Sequence, residues 1–339
     1  EIEALCTQEE PPACQAGCPL NVDCRAFVTT MARGDYRKAR SFLDKNMGLT
    51  DIVARLCEGP CQQFCLRSTL GGAIAVTLLE RHCVVSNPQS AKTLRLPARD
   101  GTINILGGGP SSLMVAFDLA IKGYAVRLFF TGARGGGWLN SLPGQVLPSE
   151  VLQRELDRIE ALGVVFKAVD QLDASLCDDG TKAAVYIGQD DDIPENLLEM
   201  IQGIDMETYQ CKRSGVFSGG VTTPEHRYRF ITSVAQGRQA AVAIDRFLQG
   251  ASLTASRIMP RNGQTALYTN TSNVTAVTRV EPAGGIEYSS EEAQKEAGRC
   301  IDCQCLECVN NCAYLQEFDG YPKTYDRRIY KRLAIVKGR

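Results

Sequence analysis

Histidine is nearly missing from this chain: two of 339 residues, His82 and His226. Zinc sites of mixed Cys/His type therefore lack donors. No set of general acid, base and nucleophile for bond-making chemistry can be assembled, and no catalytic residue is expected. An excess of charge is missing too. Lys and Arg number 37 against 39 Asp and Glu, a formal net charge of −2, which argues against nucleic acid and membrane surfaces as partners. No apolar run approaches the roughly 18 residues of a membrane span. The opening EIEALCTQEE is acidic, unlike a secretory signal. These absences, with the length, predict a cytoplasmic chain of two or three compact units.

Cysteine is what the chain has in excess. Of fifteen, eight fall between Cys6 and Cys83 and five between Cys300 and Cys312. Tight cysteine spacings in a cytosolic chain point to metal rather than to disulfides. The isolated Cys177 and Cys211 read as plain thiols. Two helical stretches, 26–33 and 36–46, joined by Gly34-Asp35, lie between Cys24 and Cys57, so helix packing must bring distant cysteines together. More than four cysteines in each block favours iron–sulfur clusters, with a four-thiolate zinc site as the alternative.

Between the blocks, TINILGGGPSSLMVAFDLAIKGYAVRLFF (102–130) reads as a buried strand, a glycine turn, a helix and a second strand. Gly107-x-Gly109 allows a tight turn and close approach to a pyrophosphate at the helix N-terminus, where Pro110, Ser111 and Ser112 stand. Two positions depart from the dinucleotide pattern. The third glycine is Ser112, and the ribose-binding acid at the end of the second strand is Phe130.

CQAGCPLNVDCRAFVTTMARGDYRKARSFLDKN, followed by RLCEGPCQQFC and GAIAVTLLER, resembles the N-terminal iron–sulfur domain of the glutamate synthase small subunit family, which includes the similar domain of dihydropyrimidine dehydrogenase. The resemblance implies two N-terminal [4Fe–4S] clusters. One would take Cys6, Cys14 and Cys65, with Glu9, where the motif has its second cysteine, or another group as fourth ligand. The other would take Cys18, Cys57 and Cys61, with Glu80. Cys24 and Cys83 have no counterpart in that pattern and read as small buried hydrophobes.

The same resemblance implies an FAD site. Gly136, Gly137 and Leu139 match its second glycine segment, with Trp138 at the variable position. Gly220 matches the closing turn, where Val221 replaces the Asp that holds the ribityl chain. Thr131, Thr222, Arg227 and Arg229 are possible substitutes for the lost acids. The inserted NADPH domain is absent, since Val164-Val165-Phe166 is followed closely by AAVYIGQ, 183–189, with no second G-x-G-x-x-G between. Toward the C-terminus a capping-box pattern at Ser290 to Ala293 opens a polar helix. Cys300, Cys303, Cys308 and Cys312 then repeat the family's opening spacing, with Cys305 extra. By analogy the first three would share at least one C-terminal cluster, and Cys312 would serve another, completed by sequence beyond Arg339 or by a partner.

The expected fold is an α/β Rossmann-like FAD-binding domain (96–250) flanked by an α-helical iron–sulfur domain (1–95) and, after a linker (251–290), a C-terminal iron–sulfur segment (291–339). The implied function is an electron-transfer iron–sulfur flavoprotein subunit of a larger oxidoreductase complex, not itself oxidising NAD(P)H. An NAD(P)H-dependent oxidoreductase and a non-catalytic iron–sulfur scaffold with an empty flavin domain are the alternatives. The basic YDRRIYKRLAIVKGR would offer a docking surface for an acidic protein.

Overall fold

The computed structural model describes residues 6–88, 94–177, 183–191, 193–221, 229–255, 257, 261–318 and 320–337. Its first part is helical: α1 Cys24–Ala32, α2 Tyr36–Met47, α3 Thr50–Leu56 and α4 Val76–Ser86. Asp23 and Asp35 set the starts of α1 and α2, accepting from Ala26 N at 3.0 Å and Lys38 N at 3.1 Å, which satisfies backbone donors that a helix start leaves orphaned. Phe27, Met31, Leu43, Ile52 and Leu79 from these helices close a solvent-free core.

The second part is one parallel sheet. β1 Thr102–Leu106, β2 Ala125–Phe130, β3 Val165–Ala168, β4 Ala183–Gly188 and β5 Val216–Gly219 lie in the order β3-β2-β1-β4-β5. The order reverses at β1, and ligands of doubly wound sheets bind outside the strand ends at that point. α5 Pro110–Ile121 follows β1, α6 Ser149–Ala161 lies between β2 and β3, and α7 Arg229–Leu248 follows β5. α5 is apolar nearly all round and buried from Pro110 to Phe117, as a helix caught between a sheet and a second helix must be. It meets α7 so closely that a Cβ on Gly237 would stand 2.4 Å from Ser111 O.

The expected third glycine of the turn has a substitute across the interface. Ser112 Oγ sits 2.2 Å from where a Cβ on Gly188 would be. The missing side chain is thus on β4 rather than on α5, and the helix still packs tightly. Only fourteen residues separate β3 from β4, too few for an inserted domain.

The final part holds α8 Ser290–Ala297, short helices Glu307–Asn311 and Ala313–Glu317, and α9 Pro322–Lys337. The cap of α8 falls one residue before the expected one: Ser289 accepts from Glu292 N and the Glu292 carboxylate accepts from Ser289 N. Only Ser289 has a glutamate three residues on, which is what the box requires. Among the described residues no helix is long and apolar enough to cross a membrane.

Candidate functional site

α8 docks on α1 and α4, so the C-terminal cysteines arrive beside the N-terminal ones. Glu296 and Arg299 carry that docking from the end of α8. Glu296 accepts from Ala75 N at 2.9 Å and Val280 N at 2.8 Å, and Arg299 donates to Gly71 O at 3.0 Å and Gly72 O at 2.7 Å. Tyr36 donates to Ser290 O and His82 Nδ1 to Tyr288 O, at 3.2 and 2.8 Å. Beyond Arg299 the chain turns through Asp302, whose φ is +47°. Arg25 holds the turn, donating to Cys303 O at 2.6 Å.

A mostly apolar cleft results, walled by Val28, Phe64, Leu66, Ile74 and Ile301 and lined by Cys14, Cys24, Cys61, Cys65, Cys300 and Cys303. Burial pushes the Cys300 thiol up to about 12 and Cys303 up to about 11, and the charges of Cys14 and Cys65 act on both. Cys6 is not among the residues lining the cleft. Glu9 turns away, bonded through both oxygens to Arg327 of α9 and lying 3.9 Å from Lys323.

A second group adjoins the first. Burial, then the charge of Cys18, raises the Glu80 carboxyl well above its usual range, and burial, then Glu80, does the same to Cys57. Glu80 is 3% exposed, and its Oε2 has no hydrogen-bond partner. A buried, unsatisfied carboxylate oxygen costs stability unless something absent from the chain satisfies it. Cys18, Cys57, Cys61 and Glu80 therefore offer the donor set the resemblance implies. Between the groups lies Cys24, 2% exposed, which lines the cleft beside Cys14 and Cys61 and donates to Cys14 O at 3.9 Å. Its hydrogen bond lowers Cys14, and lowers Cys18 to about 7. Its burial in the main core agrees with the expectation of a small buried hydrophobe, and its place beside the other thiols is what the spacing did not show. Its one warning was its place six residues after Cys18.

All fifteen cysteines are free. Among the described residues no three His, Cys, Asp or Glu side chains converge where one metal ion would sit. Cys308 is exposed, Cys305 and Cys312 are partly exposed, and none of the three lines the cleft.

The dinucleotide-type site is filled by the chain itself. Gly107 makes the expected turn with φ +114°. The N-terminus of α5 then meets Asp190, just after β4: Ser111 N donates to its Oδ2 at 2.8 Å, and the Ser111 hydroxyl donates to the same oxygen. A Cβ on Gly109 would lie 2.4 Å from Asp190 Cβ, and one on Gly220 2.8 Å from its Oδ1. Trp138 N donates to Asp191 Oδ1 at 2.9 Å, and a Cβ on Gly137 would meet that carboxylate. Gly136 N donates to Gly108 O at 2.9 Å. The start of α7 is likewise closed, with Phe230 N and Ile231 N donating to Glu58 at 2.7 and 3.1 Å. Arg229 stacks on Trp138 at 4.6 Å and donates to the backbone oxygens of Val221 and Asp190.

The helix N-terminus that would receive a phosphate thus holds a carboxylate. Phe130 is buried edge-on against Phe166 with centroids 6.3 Å apart, Leu139 is buried, and Thr131 is exposed. Thr222 and Arg227 lie outside the described residues. Among the described residues, Asp190 and Asp191 take the backbone donors at the start of α5 and at Trp138 that the resemblance would turn toward FAD.

Comparison with known proteins bears on the first site. Residues 3–91 match the family described as dihydropyrimidine dehydrogenase domain II, 4Fe-4S cluster. The NAD-dependent dihydropyrimidine dehydrogenase subunit PreT of Escherichia coli strain K12 is 30% identical over 50% of this chain and 42% of its own length. The NADPH-Fe(3+) oxidoreductase subunit beta of Geobacter sulfurreducens strain DL-1 is 26% identical over 44% of this chain and 23% of its own. The NADP(+)-dependent formate dehydrogenase subunit beta of Moorella thermoacetica is 26% identical over 44% and 25%. The chain spans less than half the length of these relatives, all of them subunits of redox enzymes. The likeness to the glutamate synthase small subunit family thus narrows, over residues 3–91, to an iron–sulfur domain of the dihydropyrimidine dehydrogenase type.

Proposed function

We propose that this chain is an electron-transfer subunit of a larger oxidoreductase, holding [4Fe–4S] clusters in its N-terminal domain on a Rossmann-like mount. The observation that carries the reading is the pair of adjoining donor groups on either side of Cys24, with the buried Glu80 Oε2 left unsatisfied near Cys18 and Cys57. Bound there, such clusters supply one-electron transfer. The chain's own part is to supply thiolates and a carboxylate, to exclude water with Val28 and Ile74, and to hold both groups in the turns and helix ends around α1, α3, α4 and α8. Cys18, Cys57, Cys61 and Glu80 are the ligands of one cluster. Cys308 and Cys312, outside the cleft, remain for a further centre shared with a partner subunit. α9, which exposes Ile329, Tyr330 and Leu333, is the face we assign to that partner.

FAD was the second cofactor expected, and Gly107 with the strand order speaks for it. Asp190, Asp191, Phe130 and Val221 speak against it, so the reading of the α/β domain is a mount without flavin. With fourteen residues between β3 and β4, the chain does not itself oxidise NAD(P)H, and its place is the cytoplasm. The test is a cofactor inventory of anaerobically purified protein. Iron and acid-labile sulfide in equal amounts, with no flavin released by acid, are expected. Zinc without sulfide would overturn the cluster reading, and stoichiometric flavin would restore the flavoprotein one. Bleaching of the visible spectrum by NADPH alone would favour the NAD(P)H-dependent alternative.

A further inference from the structure

We propose that Cys300 and Cys303 of the C-terminal segment complete a cluster site with Cys14 and Cys65, so that the two ends of the chain hold one [4Fe–4S] centre together. The inference rests on the iron–sulfur reading above and adds its ligand set. Four observations carry it. The four sulfurs line one cleft that no other C-terminal cysteine reaches among the described residues. The N-terminal candidates for the remaining two positions are elsewhere: Glu9 is held by Arg327 and Lys323, and Cys6 does not line the cleft.

The third observation is the clasp. Glu296 and Arg299, 0% and 5% exposed, fix the backbone just before Cys300 to Gly71, Gly72 and Ala75. Bonded to each other and to backbone on the other domain, the pair holds the residues next to Cys300 at one position. The fourth is the Cys300-x2-Cys303 turn itself, which Asp302 at φ +47° and the Arg25 contact to Cys303 O direct into the cleft. Residue spacing alone would make Cys308 the third ligand, five residues after Cys303, but Cys308 is exposed. Cys14 stands in its place. Loading converts four thiols to four thiolates, each releasing its proton as it binds iron, with no change in sulfur oxidation state.

The test uses the full chain, purified anaerobically or reconstituted with equal amounts of ferrous and ferric iron and with sulfide, and reduced with dithionite before electron paramagnetic resonance. The variants are Cys300→Ser with Cys303→Ser, Cys14→Ser, and Cys308→Ser with Cys312→Ser. The first two should each lose one cluster's iron and sulfide and the same electron paramagnetic resonance signal. The third should keep that signal. Because a serine variant can misfold, the wild-type protein is also alkylated before and after chelation of its iron. Cys14, Cys65, Cys300 and Cys303 should be protected together and exposed together, with Cys308 labelled throughout. Full iron and an unchanged signal in the Cys300→Ser, Cys303→Ser protein would overturn the inference and leave the iron–sulfur reading intact. So would protection of Cys308 together with Cys300. Wild-type protein without iron and sulfide would instead defeat the reading beneath it.

Discussion

Glu296 and Arg299 face each other at 2.7 Å with their side chains 0% and 2% exposed, and each also bonds the backbone of the N-terminal domain. Removing one member of a buried, fully bonded pair leaves the other's charge uncompensated, at a cost of about 3–5 kcal/mol. Glu296→Ala additionally strips the acceptor from Ala75 N and Val280 N. It should lower the unfolding free energy by that amount, read as a lower denaturant midpoint at unchanged slope, and loosen the cluster content with it. A change under about 1 kcal/mol would show that α8 is not anchored by this pair.

Asp190 makes the fold sensitive to pH in an unusual direction. Burial, opposed by the hydroxyls of Ser111 and Ser233, raises its carboxyl from 3.8 to about 6, and the charge of Asp191 adds to the rise. A carboxyl raised on folding gives stability that is complete below its unfolded value and is lost as pH climbs through the folded one. Two units correspond to about 3 kcal/mol. Asp190→Asn cannot ionise and keeps an oxygen for Ser111 N. It should gain on the wild type by up to about 3 kcal/mol between pH 4 and pH 7 and run parallel to it above. Paired unfolding curves across that range decide, and a difference that shrinks with rising pH would reverse the assignment.

The crossing of α5 and α7 rests on one missing methyl. A Cβ at Gly237 would come 2.4 Å from Ser111 O and 3.0 Å from Ser111 C and Cα, all backbone that cannot step aside. Alanine is the better helix former by about 1 kcal/mol, yet overpacking costs about 1–3 kcal/mol or more. Gly237→Ala should therefore lower the melting temperature, and Gly237→Val should lower it further. A raised melting temperature in the alanine variant would mean that the helices part easily.

What was legible in the sequence was local. The strands at 102–106 and 125–130, the glycine turn and the helix between them follow from apolar spacing and turn chemistry over about thirty residues. The absence of an insertion between β3 and β4 follows from chain length. Illegible was whatever the fold assembles from afar. Nothing near Ser111 announces that Asp190, seventy-nine positions on, will take the seat of a phosphate. The repeated cysteine spacing announced a cluster at 300–312 but not that Glu296 and Arg299 would turn its first two cysteines toward Cys14.

Cys24 supplies the last test, because its two readings predict opposite results. As a small hydrophobe it would be replaceable by alanine with little effect beyond a small cavity, about 1 kcal/mol or less. As placed, it lines the cleft beside Cys14 and Cys61 and donates to Cys14 O at 3.9 Å, next to members of both donor groups. In the proposed ligand sets it is a member of neither. A thiol that donates its one hydrogen bond to a cluster-bound thiolate withdraws charge from it and favours the reduced state, since hydrogen bonds to sulfur are among the levers that set such potentials. Cys24→Ala should keep the full iron and sulfide of the wild type and shift the reduction midpoint of the N-terminal clusters to more negative values. Cys24→Ser, which keeps a donor, should recover part of the shift. Spectroscopic titration under anaerobic conditions reads both. Loss of iron in Cys24→Ala would make Cys24 a ligand, and an unchanged midpoint would return it to the core.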